Sequence, residues 1–356
     1  MNSPSEPRRL GRYEVRAATP PDEPAIAALF DEQGFPGDIA VHFRRGPTVA
    51  ESLAADGDEV VIAVCHDTDT GTLAGMGACV LRREWFNGRA ATGAYLTALK
   101  RARGHRDAMV ALPLAYQWLG DAVRDREPFF YTTILSGNDP ALRLLTHPHA
   151  GLPPYAALGT YTVFIYGTRL APQLPSGVSL VQGWDEPVAA FYRRQLPRFA
   201  CAPYDARLAG LHDDDYYSLR TGGTVVAAGA VWDQRATKQY VVTNYARPYR
   251  LARRMPLTAF GYPRLPEEGV PADYVTLAAV VVAPTHLALG ATFLRTLATR
   301  RPDADFALYG LTAGHPLAHQ AARPRHVTYS SRLFSVGFPG NPTPDGRPFM
   351  VEVGLL

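Results

Sequence analysis

A basic loop running into an apolar helical pattern is the first place in this sequence where chemistry is legible. Leu99-Lys-Arg-Ala-Arg-Gly-His-Arg-Asp-Ala-Met-Val-Ala-Leu112 sets Lys100, Arg101, Arg103 and Arg106 just ahead of Met109, Val110, Leu112, Leu114 and Trp118. The free N–H groups and dipole of a helix start bind anions without needing a particular side chain, and flanking cations add direct charge. Asn138-Asp-Pro-Ala141 reads as another helix start, with Asn138 as N-cap and Pro140 where a missing N–H costs nothing. His147 and His149 have the intrinsic pKa of proton shuttles, but two histidines without a third ligand do not make a metal site. Cys65, Cys79 and Cys201 are too scattered for a disulfide framework or a zinc knuckle, which fits a reducing cytoplasm. Arg247, Arg250, Arg253, Arg254 and Arg264 stand among Tyr245, Tyr249 and Tyr262. That stretch reads as solvated surface by default, with a ribose phosphate, an anionic acceptor or RNA as its functional alternatives.

These residues need elements to position them. Tyr13 to Ala17 alternates as a strand, and Thr19-Pro-Pro-Asp-Glu23 offers helix-start chemistry before Ile26, Leu29 and Phe30. Glu59–Cys65 and Thr72–Leu81 read as a hairpin, and Asn87-Gly88 turns the chain into a strand over about Ala94–Arg101. A helix follows, with Val110, Leu114 and Trp118 on one face, and Phe129–Leu135 is strand again. The order then recurs. Val178 to Pro187 repeats strand, cap and helix start; Tyr217–Arg220 and Val225–Trp232 repeat the hairpin. Tyr274-Val-Thr-Leu-Ala echoes Tyr95-Leu-Thr-Ala-Leu, and Gly314-His-Pro-Leu-Ala echoes Gly137-Asn-Asp-Pro-Ala. The pattern predicts a duplicated α/β (α+β) fold, each copy a mixed, mostly antiparallel sheet flanked by helices. The Pro-rich stretch Ala171–Gly177 divides it into domains 1–170 and 171–356, the second carrying an insertion between Ala246 and Ala272.

Composition agrees with a chain of this kind. Its 356 residues suffice for two domains, and 47% hydrophobic with 19% charged residues excludes a disordered or coiled-coil chain. A net charge of +3 gives no reason to expect nucleic acid as an obligatory partner. The first ten residues hold no apolar signal core, and the longest aliphatic run, Leu277–Ala283, is far short of a membrane helix, so neither export nor a membrane span is expected.

Hairpin, strand, basic loop into a helix, strand, and an Asn opening a short helix together resemble the GNAT superfamily of acyl-CoA-dependent N-acyltransferases, in tandem over nearly the whole chain. The resemblance implies that acetyl-CoA or another short acyl-CoA is the cosubstrate, without metal. It implies coenzyme contacts at Leu99, Lys100, Arg101, Arg103, Gly104, Arg106, Asp107, Ala108 and Met109, with Asn138 on the pantetheine. The family's Arg/Gln-x-x-Gly-x-Gly/Ala loop fits from Arg103, with Ala108 matching, or from Arg106, with Ala111 matching. We favour the second, although neither keeps the middle glycine. The general-acid tyrosine of many members is Leu145 here, and the second copy has no basic residue in its loop and His315 for the Asn.

Acyl transfer to an amine needs a neutral amine, a polarised carbonyl and a proton for the thiolate. Backbone N–H groups around Leu99–Arg101 would polarise the carbonyl. Glu84, beside Trp85 in the hairpin, is the candidate base, and Tyr95 is a candidate proton donor; Tyr131 carries the same two readings as Tyr95, packing or chemistry. Asp31 and Glu32 lie where the family contacts acceptors, and Pro348–Leu356 reads as a last strand whose terminal carboxylate is a further candidate. The expected reaction is transfer of an acetyl or short acyl group to a small-molecule amine, with a homodimer left open. An aminoacyl-tRNA-dependent peptidyltransferase and a non-catalytic acyl-CoA-binding protein are the alternatives.

Overall fold

The computed structural model describes residues 6–32, 34–35, 37–147 and 151–356. The first half begins with β1 (Arg8–Leu10) and β2 (Tyr13–Ala17), then α1 (Glu23–Asp31), which buries Ile26, Leu29 and Phe30. Next come β3 (Ile39–Arg45) and α2 (Val49–Ala54), capped by Thr48, whose side chain accepts from Glu51 N. Hairpin strands β4 (Glu59–Asp67), β5 (Thr72–Phe86) and β6 (Arg89–Arg101) follow. Asn87 and Gly88 both take positive φ, as the tight turn between β5 and β6 requires, so β6 starts directly at Arg89 instead of near Ala94. The half ends with α3 (Leu112–Val123), β7 (Phe129–Leu135), α4 (Asp139–Thr146) and β8 (Tyr155–Tyr166).

The second half repeats this: β9 (Val178–Gln182), α5 (Glu186–Gln195), β10 (Cys201–Pro203), β11 (Tyr216–Thr221), β12 (Thr224–Trp232), β13 (Lys238–Tyr245), α6 (Arg247–Ala252), β14 (Tyr274–Val282), α7 (Gly290–Ala298), β15 (Phe306–Thr312), α8 (Ala318–Ala321) and β16 (His326–Val336). No described helix is long and apolar enough to cross a membrane.

One continuous sheet joins the halves in the order β1-β2-β4-β5-β6-β7-β16-β8-β15-β14-β12-β11-β9. The final strands are exchanged: β16 pairs with β7 of the first half, and β8 pairs with β15 of the second. Among the described residues, two strand pairs are parallel, β6 with β7 and β14 with β15. Each is short, Gly93–Tyr95 against Phe129–Tyr131 and Tyr274–Thr276 against Phe306–Leu308, after which the strands part. At the same remove in β6 and β14 an extra residue bulges out, Ala98 with φ +55° and Ala279 with φ +50°. This register sets Gly93 against Tyr274 and Tyr95 against Thr276, correcting the sequence echo of Tyr95 with Tyr274.

Two features were not legible in the sequence pattern. β3 and β13, one from each half, pair as a separate antiparallel ribbon. The stretch Pro348–Leu356 is not a strand: Phe349 makes a single bridge to Cys201, and a 3-10 turn closes Val353–Leu355.

Candidate functional site

The parting of β6 and β7 opens on a cavity of about 1020 Å³ lined by both halves. On one face of the sheet the walls are Leu96, Ile134, Leu145 and the inward face of α3, Leu112, Ala115, Tyr116 and Leu119. On the other face lie Tyr95, Tyr161 and Tyr329, roofed by the ribbon. Ile39, Val41 and Phe43 of β3 line the cavity with the period of two expected of a strand with one face turned to it, and Tyr240, Val242 and Tyr245 of β13 do so with one extra residue at the bulge after Val242.

Among the residues expected at a coenzyme site, Leu99, Lys100, Arg103 and Asn138 line this cavity together. Lys100 lies with its ammonium 4.6 Å from the Phe30 ring centre, and burial pulls its pKa down to about 8. Arg103 donates to the Glu32 carbonyl at 2.9 Å, tying the rim to the end of α1. Asn138 caps α4, its side-chain oxygen accepting from Ala141 N at 3.3 Å, and lines the cavity as well.

Arg101, Gly104, Arg106, Asp107, Ala108 and Met109 do not line the cavity. Arg106–Ala111 forms a 3-10 turn before α3, not its first helical turn. Ala108 and Ala111 pack on Tyr13 and Ala74, Met109 packs on the α3 core, and Asp107 pairs with Arg12. Arg101 donates to the Arg106 carbonyl at 3.2 Å. Val110 is 57% exposed and the buried helical face is Leu112, Tyr116, Leu119 and Val123, so Val110 does not share a buried face with Trp118 as a loop start at Arg106 would have it.

Glu84 sits inside strand β5, paired with Ala91 and Pro203, and does not line the cavity. It is buried, accepts from the Tyr131 hydroxyl at 2.7 Å and the Cys201 thiol at 3.2 Å, and lies 3.3 Å from Arg82 Nε. Its carboxylate fills the space a side chain on Gly93 would take, 2.0 Å from an added Cβ. Buried Arg45 and Lys238 both pair with Asp56, at 2.8 and 2.7 Å, each of the three 3% exposed. Arg82 and Lys238 in turn donate to the Leu355 and Gly354 carbonyls, both at 2.6 Å.

Tyr95 lines the cavity, its hydroxyl 2.7 Å from Thr133 Oγ1, and burial raises its pKa. Glu32 lines the cavity and Asp31 does not; Asp31 lies 3.7 Å from His42. His147 is exposed, bonded at 2.9 Å to the Arg143 carbonyl, and His149 lies outside the described residues. Tyr245, Tyr249 and Arg264 of the Arg/Tyr-rich segment reach the cavity, Arg264 paired with Asp305 at 2.5 Å.

The equivalent parting in the second half is filled. Glu352 accepts from the N–H of bulge residue Ala279 at 3.1 Å, and the Tyr192 hydroxyl donates to its carbonyl at 2.8 Å. Thr312 and Tyr161 hold the Phe349 and Val351 carbonyls beside them, at 3.2 and 2.9 Å. His315, at the position of Asn138, does not cap the helix that follows: its Nδ1 accepts from Leu317 N at 3.1 Å, its ring stacks on Phe199, and burial pushes its pKa down to about 4. Ala98, the counterpart of Ala279, lines the cavity instead. Beyond the filled parting the chain emerges with Val353 and Leu356 in the cavity wall.

No family model matches the sequence, and no curated protein sequence does. Solved structures match over most of the chain. A GCN5-related glucosamine N-acetyltransferase region of a fungal multi-domain GH3 β-N-acetylglucosaminidase is 12% identical with a TM-score of 0.62, covering 90% of this chain; the chain spans 38% of that protein's length. Saccharomyces cerevisiae N-myristoyltransferase with bound myristoyl-CoA is 10% identical, TM-score 0.59, over 99% of this chain and 92% of that one. A GCN5-related N-acetyltransferase from Sphaerobacter thermophilus is 15% identical, TM-score 0.53, over 98% and 99%. The fold is that of the GCN5-related N-acetyltransferases, in tandem, with the two-lobed build of N-myristoyltransferase.

Proposed function

From this fold and the parted strands of the first half, we propose that the protein is an acyl-CoA-dependent N-acyltransferase that moves an acetyl or short acyl group to the amine of a small molecule. The observation that carries the reading is the contrast between equivalent bulges. Ala279 has its backbone N–H and C=O taken by Glu352 and Tyr192, while Ala98 opens on the cavity beside Lys100, Arg103 and Asn138. Those residues suit a phosphorylated, amide-bearing coenzyme; the missing middle glycine leaves the cations to do more of the holding. Acyl-CoA would supply the activated thioester.

This chain's own groups would do the rest. The cavity-facing edge of β6 beyond Tyr95 offers backbone N–H groups to the thioester carbonyl. Tyr95, kept protonated by burial, gives its proton to the departing thiolate as the C–S bond breaks and the amine nitrogen bonds to the carbonyl carbon, and recovers the proton that this nitrogen sheds. Glu84 serves as a structural anchor of the β5–β6–β10 junction, not as the base. The glucosamine named for one structural relative belongs to that protein; the largely apolar lining of the cavity supports a small-molecule acceptor here.

Release of free thiol from acetyl-CoA, followed across a panel of primary amines, tests the reading. Amine-dependent release that falls in Tyr95→Phe supports it. Tight coenzyme binding with no amine-dependent release from acetyl, propionyl or butyryl donors would favour the non-catalytic alternative.

A further inference from the structure

We propose that the acceptor is an arylalkylamine, a primary amine on a short chain bearing one aromatic ring, recognised by the tyrosine-lined chamber under the β3–β13 ribbon. The proposal rests on the acyltransferase reading for its chemistry and on the chamber for its specificity.

The chamber is built from Tyr95, Tyr161, Tyr240, Tyr329, Phe43 and Phe306. Two of its hydroxyls are spent on the protein: Tyr95 bonds Thr133 at 2.7 Å and Tyr161 donates to the Val351 carbonyl at 2.9 Å. The wall offers a ligand mainly ring face and edge, with Phe43 and Tyr240 5.1 Å apart on the ribbon. A polyhydroxylated amine would leave any hydroxyl that faces these rings unpaired, which weakens its binding there.

Charge argues against a polycation. The carboxylate side chains lining the cavity are Glu32 and Asp38, both in the segment between α1 and β3, against Arg45, Lys100, Arg103 and Arg264. Behind the ribbon, Asp56 is shared by Arg45 and Lys238, so that pocket holds more cation than carboxylate. A second or third ammonium on the acceptor would find like charge. A single ammonium can instead arrive over the tyrosine faces, where a cation is attracted without any carboxylate.

Calorimetric titration of 2-phenylethylamine, spermidine and glucosamine into the whole protein, with desulfo-coenzyme A or coenzyme A present, reads acceptor choice without requiring turnover. The expected result is 2-phenylethylamine binding at least about tenfold tighter than either of the others. Tyr240→Ala and Phe43→Ala, one from each half, should each weaken that binding by about tenfold while leaving coenzyme affinity within about twofold, the latter serving as the check that the variants fold. Spermidine or glucosamine binding as well as or better than 2-phenylethylamine overturns the proposal, as does aryl amine binding unchanged in both variants. Failure of the acyltransferase reading is seen separately, as the absence of thiol release while arylalkylamine binding persists.

Discussion

Tyr95, Lys100 and Glu352 each turn a burial into a measurable property. Tyr95→Phe removes the hydroxyl bonded to Thr133 and keeps the ring on Tyr131, 5.4 Å away. Its expected effect is a fall of about a hundredfold in kcat with acetyl-CoA affinity unchanged, read by steady-state kinetics and titration together. Lys100, with its pKa lowered to about 8, carries its charge below that pH and loses it above. Acetyl-CoA binding should therefore weaken by about fivefold from neutral pH to about pH 9, and the slope should disappear in Lys100→Met. Glu352 is buried, and burial raises its pKa to about 7 from an unfolded value of 4.5. The unfolded chain sheds this proton first, so stability is lost as pH climbs from about 4.5 to 7 and stays lost above. Glu352→Gln keeps an acceptor for Ala279 N–H without the charge, and is expected to raise the melting temperature at about pH 8 and not at about pH 4.

At the scale of elements, β5 and β6 show both what periodicity reveals and what it hides. The Asn87-Gly88 turn and the alternation of the flanking strands were readable because they are local. Glu84 was not, because a carboxylate near a turn ordinarily faces water, and only its neighbours across the sheet, Tyr131 and Cys201, explain its burial. Gly93, diagonal to it on β6, leaves no room for a methyl group. Gly93→Ala should destabilise the protein by about 2–3 kcal/mol in denaturant unfolding, an overpacking cost; a change below about 0.5 kcal/mol would show that Glu84 can move aside. The ribbon escaped the sequence reading for a related reason. In β3 the inward Ile39, Val41 and Phe43 alternate with Ala40, His42 and Arg44, a legible pattern, but Gly34, Gly37, Gly46 and Pro47 crowd it, and its partner lies in the other half. The stretch from Phe349 shows the converse: Phe349, Val351 and Val353 alternate like a strand and are buried like one, yet they fill the second parting instead of joining a ladder.

Across the whole molecule, the duplicated order was visible in the sequence, whereas the exchange of final strands was not, since periodicity gives the face of a strand and never its partner. With β16 beside β7 and β8 beside β15, each half completes its sheet with a strand from the other. We therefore propose that 1–170 and 171–356 are halves of a single cooperative unit. One unfolding transition is expected by calorimetry, and residues 1–170 made alone, lacking β16, should not give a cooperative transition; an independent, reversible transition for that fragment would contradict it. The same exchange lets the second half, whose own parting is plugged by Glu352 and Tyr192, wall the cavity of the first.

The proposed function places one acyl-CoA per chain, in the parting of β6 and β7. Its test is calorimetric titration of acetyl-CoA into the full protein and into a Lys100→Glu, Arg103→Glu double variant. The expected result is a stoichiometry of about one per chain and a loss of at least about thirtyfold in affinity on reversing both cations. Two sites per chain, or binding that the double variant leaves intact, would contradict it.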